Sequence, residues 1–142
     1  MSATAASVQR SFRLSGKTSH LLDSLAEIED QSRNAIVERL LAESLRTYRH
    51  PMIQFRTGAS GRREPGLAGT RLLVRQVVAQ VRAEAGDVVA VADYLDQPLS
   101  LIEAAIAYYA DNTDEIDTDA AWAARADTDA RARWERQQSV FT

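Results

Sequence analysis

Between residues 7 and 15 the chain reads SVQRSFRLS, with apolar and polar side chains in alternation. Val8, Arg10, Phe12 and Leu14 fall on one face of a strand and Gln9, Ser11 and Arg13 on the other, because successive strand residues point to opposite sides. A lone strand cannot satisfy its own backbone, and a sheet of fewer than about three strands is marginal in water unless something covers it. Two helical patterns follow it: Thr18, Leu21, Leu22, Leu25 and Ile28 recur at helical spacing, as do Val37, Leu40, Leu41, Leu45 and Tyr48. The pattern therefore predicts that the strand pairs with its copy from a second chain. Both helical stripes would then face one shared core, and a symmetric dimer becomes the folding unit.

An antiparallel two-stranded ribbon fits the major groove of B-DNA, about 12 Å wide. The outward residues Gln9, Ser11 and Arg13 carry donors and acceptors suited to base edges. The strand end Phe12, Arg13, Leu14, Ser15, the amphipathic helix, the short turn at Asp30 and Gln31, and Ser32, Arg33, Asn34 opening a second helix resemble the ribbon-helix-helix family of bacterial repressors and antitoxins. The resemblance covers about the first third of the chain. It implies that the outward strand residues enter the major groove and that the start of the second helix grips phosphate. A helix N-terminus does present unpaired N–H groups and a positive dipole end, and Ser32 is a good N-cap. The expected DNA-binding residues are thus Gln9, Ser11, Arg13, Ser32, Arg33 and Asn34. Arg10 departs from the family pattern, which usually has an aliphatic residue in that inward phase; its stem is expected to snorkel toward a phosphate at the ribbon edge. The same residues also fit an ordinary amphipathic strand and helical hairpin in an α+β domain.

A chain of 142 residues suffices for one ordinary domain or two small ones, and the second option fits better. The absence of cysteine excludes disulfides and thiolate metal sites. No apolar run approaches the ~20 residues needed to span a bilayer, and no signal peptide is present, so a cytoplasmic protein is expected, with no membrane partner. The net charge of −3 is unevenly spread. Residues 1–50 carry seven Lys or Arg against six Asp or Glu, residues 51–86 six against two, and residues 87–142 four against twelve. Counterion release makes basic regions the natural seat of nucleic-acid affinity. The acidic C-terminal part would be repelled from phosphate, which points there to another protein.

Residues 1–6 are small and polar, as in a disordered arm. Gly16, Lys17 and Thr18 look like the end of a phosphate-binding loop, but that pattern needs glycine at position 11, which is serine. Pro51 should end the second helix. Met52, Ile53 and Phe55 suggest a short extended piece, Thr57 to Pro65 a loop, and Leu67 to Gly69 a returning hairpin partner. Leu73, Val74, Val77, Val78 and Val81 describe a helix over 71–84, stopped at Gly86. A second helix is predicted from Asp87 to Leu95, and Pro98 suits the first turn of a third carrying Leu99, Ile102, Ile106 and Tyr109. His50, Pro51, the step Gly69, Thr70, Arg71, the pair Tyr94 and Leu95, and the run Ala104 to Tyr108 resemble the small bacterial domain known as domain of unknown function 433. Here the first glycine loop is lengthened by GASGRREP, and Leu73 stands near the family's usual proline. The resemblance implies an antitoxin paired with a small PIN-like ribonuclease.

Two helices around a tight turn at 87–111 also suggest a helix-turn-helix. Residues 98–111 contain no Lys, Arg, Asn or Gln, however, so the usual pairings to bases are missing and packing surface is the better assignment. Arg56, Arg62 and Arg63 are expected at DNA backbone, at an acidic protein, or in a solvated loop. In the segment from Thr113 to Thr142, Ile116, Ala120, Ala123, Ala130, Trp134 and Phe141 lie near a heptad seam interrupted by Asp127. Alone such a helix is marginal, and aromatic and arginine anchors are what interfaces favour. Trp122, Arg131, Arg133, Trp134, Arg136 and Phe141 are therefore expected to order on a partner; packing of both tryptophans on the middle domain is the other reading.

His20 and His50 lie in different elements and no nucleophile, base and orienter set is visible, so an enzyme is not expected. Asp114, Glu115, Asp117 and Asp119 lack the glycine and terminal glutamate of a calcium loop and read as a solvated helix face. No cofactor or metal is implied. The expected fold is mainly α: an N-terminal ribbon-helix-helix domain (1–49) with an intersubunit two-stranded antiparallel sheet, a small three-helix domain (50–112) and a C-terminal helical tail (113–142). The expected function is a type II antitoxin, a homodimer or higher oligomer, that represses its own promoter and holds a PIN-like ribonuclease toxin. Such a nuclease uses carboxylates and a divalent metal, which an arginine from 131, 133 or 136, or from the Arg62 and Arg63 loop, would displace. The alternative is a ribbon-helix-helix regulator without a toxin, whose middle domain oligomerises or senses a ligand. An interaction module that never meets DNA is third.

Overall fold

Ser15 begins the first regular element of the structure, a computed structural model that describes residues 6–58 and 60–142. Its hydroxyl accepts from the Thr18 N–H at 3.2 Å and caps α1, Gly16–Glu29. Asp30 closes that helix in the left-handed region at φ 51°, and the Gln31 N–H returns to the Ala26 carbonyl at 3.2 Å. Ser32 then accepts from the Ala35 N–H at 3.1 Å and caps α2, Arg33–Arg49. Pro51 follows two residues later, where a helix cannot continue. The expected N-terminal arm, apart from Ala6, lies outside the described residues.

The chain divides into two compact units, Met1–Arg49 and His50–Thr142. In the first, residues 6–15 join no helix or strand and are exposed throughout. Ala26 and Ile36 are its buried apolar residues among those described, while Leu21, Ile28, Val37, Leu40, Leu41, Leu45 and Tyr48 are exposed. The two apolar stripes thus form as helical faces; Leu22 and Leu25 are half-buried between the helices, and the other apolar members of the stripes are left largely uncovered by the described residues of this unit.

The second unit opens with a hairpin. β1, Ile53–Thr57, pairs antiparallel with β2, Arg63–Leu67, in the register Ile53 to Leu67 and Phe55 to Pro65. This is the two-stranded sheet of the described residues, and both strands belong to one chain. The returning strand lies earlier than the sequence pattern predicts. Leu67 ends the strand and Ala68 and Gly69 do not extend it, because Thr70 turns the chain back with its N–H and hydroxyl both on the Leu67 carbonyl, at 3.1 and 2.9 Å, and Gly69 takes φ 76° there. Leu73 forms a bridge with Gly66 and the Leu72 carbonyl accepts from the Leu67 N–H at 2.9 Å, so α3 is shorter than expected, Val74–Ala83. Next come α4, Val88–Leu95, capped by Asp87, and α5, Leu99–Asp111, begun after Pro98.

After a one-residue break at Asn112, α6 runs from Thr113 to Ser139. The boundary expected at residue 113 is absent as a structural division, since α6 belongs to the same compact unit as the hairpin. It packs against α3 and α5, with Ile116 1% and Asp119 6% exposed. Its start is helical without any partner chain because the core of this unit supplies the burial that an isolated helix lacks. That core joins Ile53 and Leu67 from the hairpin to Val74, Val77, Val91, Leu101, Ile102, Ala105, Tyr108 and Ile116 from the helices. The described residues are mainly helical with a small two-stranded antiparallel sheet.

Candidate functional site

The groove between α1 and α2 is lined by Leu14, Leu21, Leu22, Leu25, Val37, Leu40 and Leu41, with Thr18 and Ser44 at its edges. It arises because each helix carries its apolar residues at three- and four-residue spacing. Burying a leucine or valine side chain stabilises by about 1.5–3 kcal/mol, so a groove of this composition left in water forgoes much of what would hold so short a unit together.

Gln9, Ser11 and Arg13 lie in the exposed stretch that leads into α1, together with Val8 at 75% and Phe12 at 72% exposure. Ser32, Arg33 and Asn34 open α2 and are exposed. Ser32 spends its hydroxyl on the helix cap, as its residue type suggests. Arg33 is committed in a way that its residue type does not announce: its Nε donates to Asp23 Oδ1 at 2.5 Å. That hydrogen bond, followed by the carboxylate charge, raises the Arg33 pKa. A second cross-helix pair, Arg39 to Glu29 at 2.5 Å, is more sheltered. The ten-residue spacing of both pairs is a signal in the sequence, but only the hairpin geometry makes it meaningful.

In the second unit several polar side chains meet residues of α6, and others pair among His50, the hairpin, α3 and α5. Arg62 donates to Asp119 at 2.7 Å and lies over the Trp122 ring with Cζ 4.8 Å from its centroid. Arg75 donates to Glu64 at 2.7 Å. The Tyr108 hydroxyl donates to Glu115 at 2.6 Å and the Tyr109 hydroxyl to Asp117 at 2.8 Å, the latter raising the Tyr109 pKa, while Arg82 donates to the same hydroxyl. His50 Nε2 meets Asp111 at 2.9 Å, and its ring packs edge-on against Tyr108.

These contacts correct two expectations. Asp119 is no solvated helix face but a buried carboxylate whose pKa is raised by burial, against the lowering effect of Arg62. Arg62 belongs to neither a solvated loop nor a free DNA contact, because Asp119 and Trp122 hold it. Glu115, Asp117 and Asp119 each turn to a different partner and converge on no common point; no group of metal-binding side chains is found among the described residues.

Of the six tail residues expected at a partner, Trp122 is half-buried on its own unit. Arg131, Arg133 and Arg136 are exposed, Trp134 is 59% exposed and Phe141 90%. The structure therefore separates the two tryptophans. One is packed, and the other stands in solvent on the outer part of α6.

No helix among the described residues is long and apolar enough to cross a membrane. No family model matches the chain, and no curated protein or solved structure shows significant similarity to it.

Proposed function

We propose that the protein is a dimeric ribbon-helix-helix DNA-binding regulator and, in that role, the antitoxin of a type II pair whose toxin is a PIN-like ribonuclease. One observation carries the reading: an alternating N-terminal stretch, with no strand partner among the described residues, precedes a helical hairpin whose apolar groove is uncovered. A second copy meets both needs at once. It pairs the two stretches into a ribbon and closes the groove against its own, as an isologous contact requires. Gln9, Ser11 and Arg13 then face outward from the ribbon toward base edges, and the head of α2 meets phosphate.

The toxin half of the reading rests on the outer part of α6. Trp134 and Phe141 are exposed there, as are Arg131, Arg133 and Arg136 around the same helix end, and aromatic and arginine side chains are the types that protein partners favour as anchors. With Arg62 engaged at Asp119, these three arginines are the better placed to reach an acidic nuclease centre.

Sedimentation of the purified chain, anisotropy on the duplex upstream of its gene, and co-expression with the adjoining reading frame test the reading together. A dimer that binds the duplex and copurifies with a nuclease is expected. A folded monomer in dilute solution overturns the whole reading, whereas a DNA-binding dimer that retains no partner leaves a regulator without a toxin.

A further inference from the structure

At the head of α2 the cation of the opening turn is already taken. Arg33 is the first residue of the helix, and its Nε donates to Asp23 Oδ1 from α1 at 2.5 Å. The pair stands in water, the two side chains being 64% and 50% exposed, so it adds little to the fold. The other cross-helix pair, Arg39 to Glu29, is about half as exposed, at 30% and 33%, and sits roughly 9 Å further along α2 at 1.5 Å per residue.

We propose that Asp23 is a built-in competitor for DNA phosphate, a carboxylate that occupies Arg33 until DNA displaces it; this rests on the DNA-binding reading above. A carboxylate and a phosphate offer a guanidinium the same kind of charge-assisted acceptor, and the Nε edge cannot face both. Binding therefore exchanges one anion for another instead of adding a full ion pair. The sequence-independent part of the affinity is held down, which leaves a larger share of recognition to base contacts.

The test is fluorescence anisotropy of the full chain on the upstream duplex and on a random duplex of equal length, across a salt series. Asp23→Asn is expected to bind both duplexes roughly two- to fivefold more tightly, the worth of an exposed ion pair expressed as a ratio. Its plot of log affinity against log salt should be steeper by about 0.9, the slope that neutralising one further phosphate produces. Glu29→Gln, which removes an equal charge from the pair further along α2, should not tighten binding comparably, and the effect of Asp23→Asn should vanish in an Arg33→Ala background. Unchanged or weaker binding by Asp23→Asn with an unaltered melting curve overturns the competitor role. Equal tightening by Asp23→Asn and Glu29→Gln, or tightening that persists without Arg33, overturns it as well. Should the parent chain bind neither duplex, the DNA-binding reading itself falls and this role with it.

Discussion

The Arg62 guanidinium donates to Asp119 at 2.7 Å while its carbon rests 4.8 Å from the centroid of the Trp122 ring, two residues of α6 gripping one residue of the hairpin loop. The hold is imperfect, since the buried Arg62 Nε has no hydrogen-bond partner. Burial raises the Asp119 pKa first, Arg62 lowers it and Glu64 raises it again, with a net shift upward. A raised carboxylate pKa means that the folded chain keeps a proton over a window where the unfolded chain has lost it. Stability from this group is therefore greatest at low pH and declines as pH rises from the ordinary aspartate value to the folded one. Urea melts across that window should show the decline in the parent and its loss from Asp119→Asn. Asp119→Ala, which strands the guanidinium, should cost about 1–3 kcal/mol.

Gly66 is required by Arg56. A Cβ at position 66 would stand 2.6 Å from the Arg56 Cζ and Nε, and this guanidinium is pinned by hydrogen bonds to the Leu67 and Leu72 carbonyls at 2.7 and 3.1 Å. Gly66→Ala should therefore force Arg56 off one or both carbonyls and destabilise the second unit by about 1–3 kcal/mol. In an Arg56→Met background the same substitution should cost less, and the double-mutant cycle measures the difference.

Leu41, 46% exposed in one chain, lines the groove of the first unit. A charge there cannot be buried against a second copy without a partner of its own. Leu41→Lys should yield a monomer by sedimentation equilibrium, with residues 1–49 melting at lower temperature and the second unit retaining its transition. A variant that remains a dimer would show that the groove is not the contact between chains.

For the proposed ribbon, Arg13→Ala should weaken binding to the upstream duplex by about 1–3 kcal/mol if Arg13 reads a guanine through both of its parallel donors. Its affinity for a random duplex should change far less. Equal losses on both would make Arg13 a phosphate contact and rule out the assigned facing of the strand.

Trp122 and Trp134 should differ sharply. Trp122→Ala removes the ring under Arg62 and should cost about 1–3 kcal/mol in a urea melt, because it loses packing and the cation–π contact together. Trp134→Ala, on the exposed part of α6, should stay within about 0.5 kcal/mol of the parent yet reduce retention of a partner on copurification. If Trp134→Ala leaves retention unchanged, the aromatic end of α6 is not the anchor.

The helices and their ends are largely legible in the sequence, whereas the alternating stretch Val8 to Leu14 forms no strand within the single chain. Ser32 at the head of α2, the turn at Asp30 and Gln31, the stop before Pro51, and the helices after Gly69, Gly86 and Pro98 all follow from capping groups and apolar spacing. Such signals act between residues a few positions apart, where chain connectivity guarantees that they meet. The hairpin was visible in outline only. Thr70 and Gly69 turn the chain at a place that β-propensity cannot specify, and this moved the second strand.

By itself the sequence determined which stretches become helices and which faces of them are apolar, because period and capping are short-range properties. Tertiary structure alone decided what those faces and charges meet. Asp119 reads like its acidic neighbours until folding brings Arg62 from 57 positions away, and Arg33 looks free until the hairpin presents Asp23. Burial and ion pairing depend on segments distant in the chain arriving at one place, and no local pattern records that arrival.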